Sequence, residues 1–86
     1  MRMVMIADDI TGTFDTGIQF AKRGVHMQVL IGSQVTEETV IPSGVEVLAI
    51  DAETRHMTGK EAYRETWRLA SWARKNGAEG AYIKTD

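Results

Sequence analysis

The chain has no cysteine, one proline and two histidines. Without cysteine there is neither a disulfide framework nor a thiolate metal site, and His26 and His56 are too few to build a histidine cage. Both absences suit a reducing cytoplasm, the expected location. Long hydrophobic runs are missing as well. The apolar stretch at residues 3–7 (MVMIA) is broken at once by Asp8 and Asp9, so neither a signal peptide nor a membrane span is expected. Nor is one sign of charge in excess. Twelve acidic against ten basic residues leave a net charge of -2, which argues against nucleic-acid binding driven by overall charge. With 86 residues, 43% of them apolar, there is material for one small domain and not for two. A domain of about 60 residues buries only about 60% of the surface its unfolded chain exposes, so marginal stability is expected unless something is added.

What is present alternates. The run MVMIA reads as a strand covered on both faces and ends in two aspartates. Phe14, Gly17, Ile18 and Ala21 then recur at helical spacing, and Gly24 after Lys22 and Arg23 makes a C-terminal cap, which predicts a helix over residues 13–23. Residues 25–31 form a second strand closed by Gly32 and Ser33. The polar stretch 34–44, with the single proline Pro42, reads as a surface connection with at most one helical turn. A third strand, residues 45–50, again ends in an aspartate, Asp51. Thr58 and Glu61 form a T-x-x-E capping box ahead of a long helix whose apolar side is Ala62, Thr66, Leu69, Ala70 and Ala73 and whose stop is Asn76 and Gly77. A last apolar run, residues 80–83, leads into Lys84, Thr85 and Asp86.

The order β-α-β-loop-β-α-β predicts an α/β fold, a mostly parallel four-stranded sheet with flanking helices. Four such strands need both faces covered, and two helices supply about one per face. The expectation is therefore the incomplete N-terminal part of a larger α/β domain, or a chain whose open surface a partner covers, with a complete minimal fold as the alternative.

In open α/β sheets, ligands bind beyond the carboxyl ends of the strands. Three of the four expected ends carry charge: Asp8 and Asp9; Asp51 with Glu53 and Arg55; Lys84 and Asp86. Such an edge suits a polar, anionic or hydroxylated small molecule, or a hard cation on the carboxylates. The plainer explanation is that strand ends reach water and water favours charge. That suffices for any one residue and less well for three clusters together. Asp9, Thr11 and Thr13 lie where a helix start needs capping oxygens, and capping accounts for one of them. Gly12 allows a tight turn, yet no G-x-G-x-x-G or G-x-x-x-x-G-K is present, so nucleotide binding by this segment is not supported. Arg55 is the natural clamp for a carboxylate; the alternative is a loop arginine paired with Glu53. His56, with no second ligand near it in sequence, reads as a bystander. Lys60, Arg64, Arg68 and Lys75 with Trp67 and Trp72 make a basic, aromatic helix, but Glu61 and Glu65 stand at ion-pair spacing to Arg64 and Arg68, so a solvated face is favoured over a nucleic-acid surface. The tryptophans and the methionines Met1, Met3, Met5 and Met27 read as packing residues.

The elements IADDITG, DAETR and YIKTD, in this order and each at a strand end, resemble the N-terminal domain of the four-carbon acid sugar kinase family. The resemblance spans essentially the whole chain. Asp8, Asp9, Thr11 and Gly12 match the family's A-D-D-[LI]-T-G; Asp51, Glu53 and Arg55 match D-T-E-S-R, with Ala52 and Thr54 as departures; Lys84, Thr85 and Asp86 match the start of K-T-D-S-T-x-R-G. The resemblance implies a substrate site made of Asp8, Asp9, Thr11, Gly12, Asp51, Arg55, Lys84 and Asp86 for a sugar acid such as threonate, erythronate or 3-oxo-tetronate. It implies phosphorylation by ATP with Mg²⁺, both held by a C-terminal nucleotide-binding domain absent from this chain, which alone is then expected to be inactive. Residues 1–86 are expected to be the N-terminal part of the sugar-acid-binding domain. Ala52, where the family has threonine, is expected to alter substrate contacts by loss of a hydroxyl. The implied partners are a small-molecule sugar acid and the nucleotide domain, with no nucleic acid and no membrane; a homo-oligomer is left open. The catalytic base is not identifiable.

Two rival readings come from other classes. A phosphoacceptor receiver domain of signalling proteins also has paired aspartates after its first strand, an aspartate after the third and a later lysine, here Asp8, Asp9, Asp51 and Lys84, around Mg²⁺. A noncatalytic binding module would use the basic helix. A match of D-x-T-G-T at residues 9–13 to the phosphorylated loop of P-type cation pumps has Ile10 in the lysine position and is read as chance.

Overall fold

The computed structural model describes residues 3–8, 17–19 and 21–84, the last in its backbone. Four strands, β1 (Met3–Ala7), β2 (Met27–Ile31), β3 (Val47–Asp51) and β4 (Gly80–Lys84), form one sheet in the order β2-β3-β1-β4. Every pairing is parallel. The expected α/β class and mostly parallel sheet are therefore observed. Helical residues 17–19 and 21–22 fall inside the helix predicted over 13–23, and Gly24 turns the chain at φ 75°; residues 13–16 and 20 lie outside the described residues.

β2 and β3 each begin two residues later than the apolar pattern predicts. The His26 carbonyl accepts from both Glu46 N and Val47 N, so the chains meet there and diverge before it. Burial follows position in the sheet. All five residues of β3 and four of β1 are buried, β2 at one edge is half-buried, and residues 81–83 of β4 at the other edge are exposed. The central strands are covered on both sides, which is why they read as unbroken apolar runs rather than alternating ones.

Helix α1 (Gly59–Lys75) starts at Thr58, whose hydroxyl accepts from Glu61 N at 3.2 Å, the Thr58 half of the expected capping box. Its other end closes as a Schellman motif. Ala78 N donates to Ala73 O at 3.0 Å and Gly77 N to Arg74 O at 3.1 Å, with Gly77 at φ 101°. Leu69, Trp72 and Ala73 are the buried residues of the helix, and they pack on Val4, Ile6, Leu48 and Ile50 together with Val35 and Ala52. Trp72 is thus core, as expected, whereas Trp67 is 66% exposed. Met5 and Ala49 point to the opposite face and are also buried. On that face a side chain at Gly17 would meet Met27 Cε at 3.2 Å.

The topology explains the two faces. From β1 the chain crosses β3 to reach β2; from β3 it crosses β1, in the opposite direction, to reach β4. Right-handed crossovers running in opposite directions place their connections on opposite sides of the sheet. β1 and β3 are adjacent, and the chain leaves their carboxyl ends in opposite directions, which makes a topological switch point. Receiver domains have the order 2-1-3-4-5, with β1 beside β2. Here β3 stands between them, so the receiver reading is set aside on architecture.

Truncating Leu69, fully buried against the sheet, is expected to cost about 2–5 kcal/mol. Ile18→Ala, at a half-exposed position, should stay within about 0.5 kcal/mol. Equilibrium urea unfolding of both variants checks the contrast.

Candidate functional site

The strand registers bring the carboxyl ends level. Ile31 lies opposite Asp51, Asp51 opposite Ala7, and Ala7 opposite Lys84, in one row across the sheet. Ala52 N donates to Ala7 O at 2.8 Å, extending the β1–β3 ladder one residue further. Asp8 and Ala52 therefore leave the sheet side by side at the switch point. Of the residues predicted for the site, Asp8, Asp51 and the backbone of Lys84 share this edge, and Arg55 follows four residues after Asp51. Asp9, Thr11, Gly12 and Asp86 lie outside the described residues.

Asp51 is the buried charged residue of the described chain, at 5% exposure. Its Oδ1 accepts from Glu53 N at 3.0 Å. Glu53 has φ 55°, the one non-glycine residue of the described chain in the left-handed region. Directly after it, residues 54–57 form a turn closed by Met57 N donating to Thr54 O at 3.1 Å. Arg55 and His56 are the exposed middle residues of that turn.

Arg55 does not pair with Glu53. The Glu53 carboxylate instead accepts from Ser33 Oγ at 2.9 Å, tying the turn after β3 to the 3₁₀ turn Gly32–Gln34 after β2. Among the described residues the ion pair formed is Glu65–Arg68. Arg68 does more than balance Glu65: Nη1 donates to Val35 O and Nη2 to Gly32 O, both at 2.7 Å. The hydrogen bond to Glu65, reinforced by its charge, raises the Arg68 pKa against the opposing effect of desolvation. The expected solvated basic face is thus partly a fastening, in which one guanidinium holds the β2–β3 connection onto α1.

Gly32 is needed at this junction. A side chain there would come within 3.0 Å of the Asp51 carbonyl and of Leu69 Cδ1, and within 3.3 Å of Ala52 Cα. Ala52 itself is 1% exposed and belongs to the apolar cluster under α1. Its expected effect on substrate contacts is therefore corrected: a hydroxyl at 52 would be buried beneath the edge. Sequence reading missed the Ser33–Glu53 and Arg68 links because they join residues far apart in the chain. The visible signal was the Gly32–Ser33 pair closing β2.

Along the flank of α1, Tyr63, Trp67 and Ala70 face Ile83 of β4 across an apolar hollow. Thr54 lies at its edge. The hollow offers shape and apolar surface but little charge, and the polar chemistry sits at the strand ends.

A family model described as a sugar-binding N-terminal domain matches residues 3–86. The chain belongs to this sugar-binding domain family. It is 35% identical over 88 residues to a D-threonate kinase of Salmonella typhimurium (strain LT2), covering all of this chain and 20% of that protein. The chain thus spans about a fifth of the length of that relative. A solved structure from Salmonella typhimurium LT2, described as a candidate tRNA synthase, superposes with a TM-score of 0.86 over 98% of the chain and 20% of its own length, at 24% identity. That identity speaks for the fold alone. No helix among the described residues is long and apolar enough to cross a membrane.

Arg68→Ala removes two donors from backbone carbonyls and is expected to destabilise the sugar-binding domain by about 1–3 kcal/mol. Arg68→Lys should recover less than half of this, because a single ammonium lacks the planar fork that reaches both carbonyls and Glu65. Urea midpoints of the two variants test it. Gly32→Ala, which forces the β2 turn off Asp51 and Leu69, should cost about 1–3 kcal/mol by the same measurement.

Proposed function

We propose that this chain is the substrate-binding part of a kinase that transfers phosphate from ATP to a four-carbon sugar acid of the threonate, erythronate or 3-oxo-tetronate class. The observation that carries the reading is the level row of strand ends at the β1/β3 switch point. It gathers Asp8, Asp51 and the backbone of Lys84, with the Arg55 turn beside them. The 35% identity to a D-threonate kinase supports the same substrate class.

In this reading Arg55, exposed and unpaired among the described residues, holds the substrate carboxylate by its two-pronged guanidinium. Lys84 adds a point charge. Asp8 or Asp9 accepts hydrogen bonds from the sugar hydroxyls, with Thr11, Gly12 and Asp86 completing the pocket. Asp51, fixed by Glu53 N, shapes the floor between the strand ends.

Phosphoryl transfer asks for in-line positioning and neutralisation of charge rather than covalent help. This chain's contribution is to fix the acceptor hydroxyl by holding the rest of the molecule at its carboxylate and hydroxyls. The described residues bring no three His, Cys, Asp or Glu together for a metal ion, and the sequence has no glycine-rich phosphate loop. In this reading ATP and Mg²⁺ are held by a C-terminal nucleotide-binding domain, as the family resemblance implies. The chain alone is accordingly expected to be inactive, and the full-length enzyme to work in the cytoplasm. The basic helix does not favour a nucleic-acid module, since Arg68 is engaged by Glu65 and two backbone carbonyls.

The full-length protein is expected to release ADP from ATP in the presence of D-threonate, erythronate or 3-oxo-tetronate, and residues 1–86 alone to release none. Arg55→Ala should raise KM for the sugar acid by about 10-fold to 100-fold, the scale of one charge-assisted contact, and leave KM for ATP unchanged. A coupled ADP-release assay measures both constants. Unchanged sugar-acid KM in that variant would remove Arg55 from the site.

A further inference from the structure

We infer that Ser33 and Glu53 are positioning residues that aim Arg55 at the substrate, an inference that rests on the sugar-acid reading above. A non-glycine residue in the left-handed region carries backbone strain that the surrounding structure must sustain, and such residues gather at sites where a geometry has to be held ready. Glu53, at φ 55°, lies two residues before Arg55. Its backbone N–H is held by Asp51 and its carboxylate by Ser33 Oγ. Both ends of the strained residue are therefore fastened, one to the end of β3 and the other to the turn after β2.

The Ser33 end is itself secured. Gly32 and Val35, on either side of Ser33 and Gln34, give their carbonyls to Arg68 of α1. A continuous set of contacts runs from α1 through the β2 turn and Ser33 to Glu53 and the Arg55 turn. Engagement by Ser33 also draws the Glu53 carboxylate away from Arg55, two residues on, which would otherwise be its nearest anion in sequence. The guanidinium is left open to an anion from solution. The link thus does two things: it sets the direction of the 54–57 turn, and it keeps the local carboxylate from competing with the substrate's.

The experiment uses the full-length protein with ATP and whichever of D-threonate, erythronate or 3-oxo-tetronate supports turnover. Ser33→Ala is expected to raise sugar-acid KM about threefold to tenfold, the scale of one lost hydrogen bond, with kcat and ATP KM little changed. Glu53→Gln keeps an oxygen acceptor for Ser33 and should stay within about twofold of the unsubstituted protein. Glu53→Gly relieves the strain, keeps the fold and loses the link, so it should raise KM as Ser33→Ala does with no fall in melting temperature. In an Arg55→Ala background, Ser33→Ala should add nothing, because positioning acts through Arg55. If Arg55→Ala raises KM and Ser33→Ala does not, or if the two effects multiply, the positioning role is overturned while the sugar-acid reading stands. If no sugar acid supports turnover, or Arg55→Ala leaves KM unchanged, the underlying reading fails and this inference with it.

Discussion

The pairing of β1 with β3 is the constraint from which the rest follows. It places two strands next to each other although a whole strand separates them in sequence, and it obliges the chain to leave them in opposite directions. Opposite exits put the connections on opposite faces, bury MVMIA and VLAID from both sides, and open a crevice where those strands end. The register of that one pair, Ala7 against Asp51, with Ala52 N extending it to the Ala7 carbonyl, decides which residues border the crevice. A slip of one residue would send the Asp51 carboxylate to the other face of the sheet.

Around this pair the molecule divides its labour. Apolar burial under α1 supplies cohesion without direction, whereas a few polar links supply direction without much cohesion. Arg68 fastens the β2–β3 connection to the helix, and Ser33 carries that restraint to Glu53. The glycine at 32 lets these layers approach, since any side chain would prop the β2 turn away from Asp51 and Leu69. A scaffold helix and the carboxyl edge of the sheet, on different elements, are thereby made mechanically continuous.

Much of this was legible in the sequence where the signal is local. The four strands, the Thr58 cap, the Gly77 stop and the placing of acidic residues at strand ends each follow from a short pattern with one physical cause. Strand starts were less legible, because Val25 and Val45 are as apolar as the residues that follow, and only the meeting point at the His26 carbonyl decides where pairing begins. Strand order and the links through Ser33 and Arg68 join distant parts of the chain, and periodicity carries no information about them. Trp67 and Trp72 show the limit clearly. They are of one type, five residues apart on one helix, yet Trp72 is core and Trp67 stands in solvent.

The central position of β1 has a temporal side. Within this chain it is synthesised before β2, β3 and β4, yet both of its neighbours, β3 and β4, come later. Until residues 47–51 and 80–84 have emerged, an apolar five-residue segment with an unsatisfied backbone on both edges must remain unpaired on the ribosome. Late pairing of this kind is slow and exposes the nascent chain to association with its copies. Asp8 and Asp9, directly after the segment in sequence, place two negative charges where such association would begin, as gatekeepers do. Asp8, which stands at the carboxyl edge of the finished sheet, thus also guards the unfinished one.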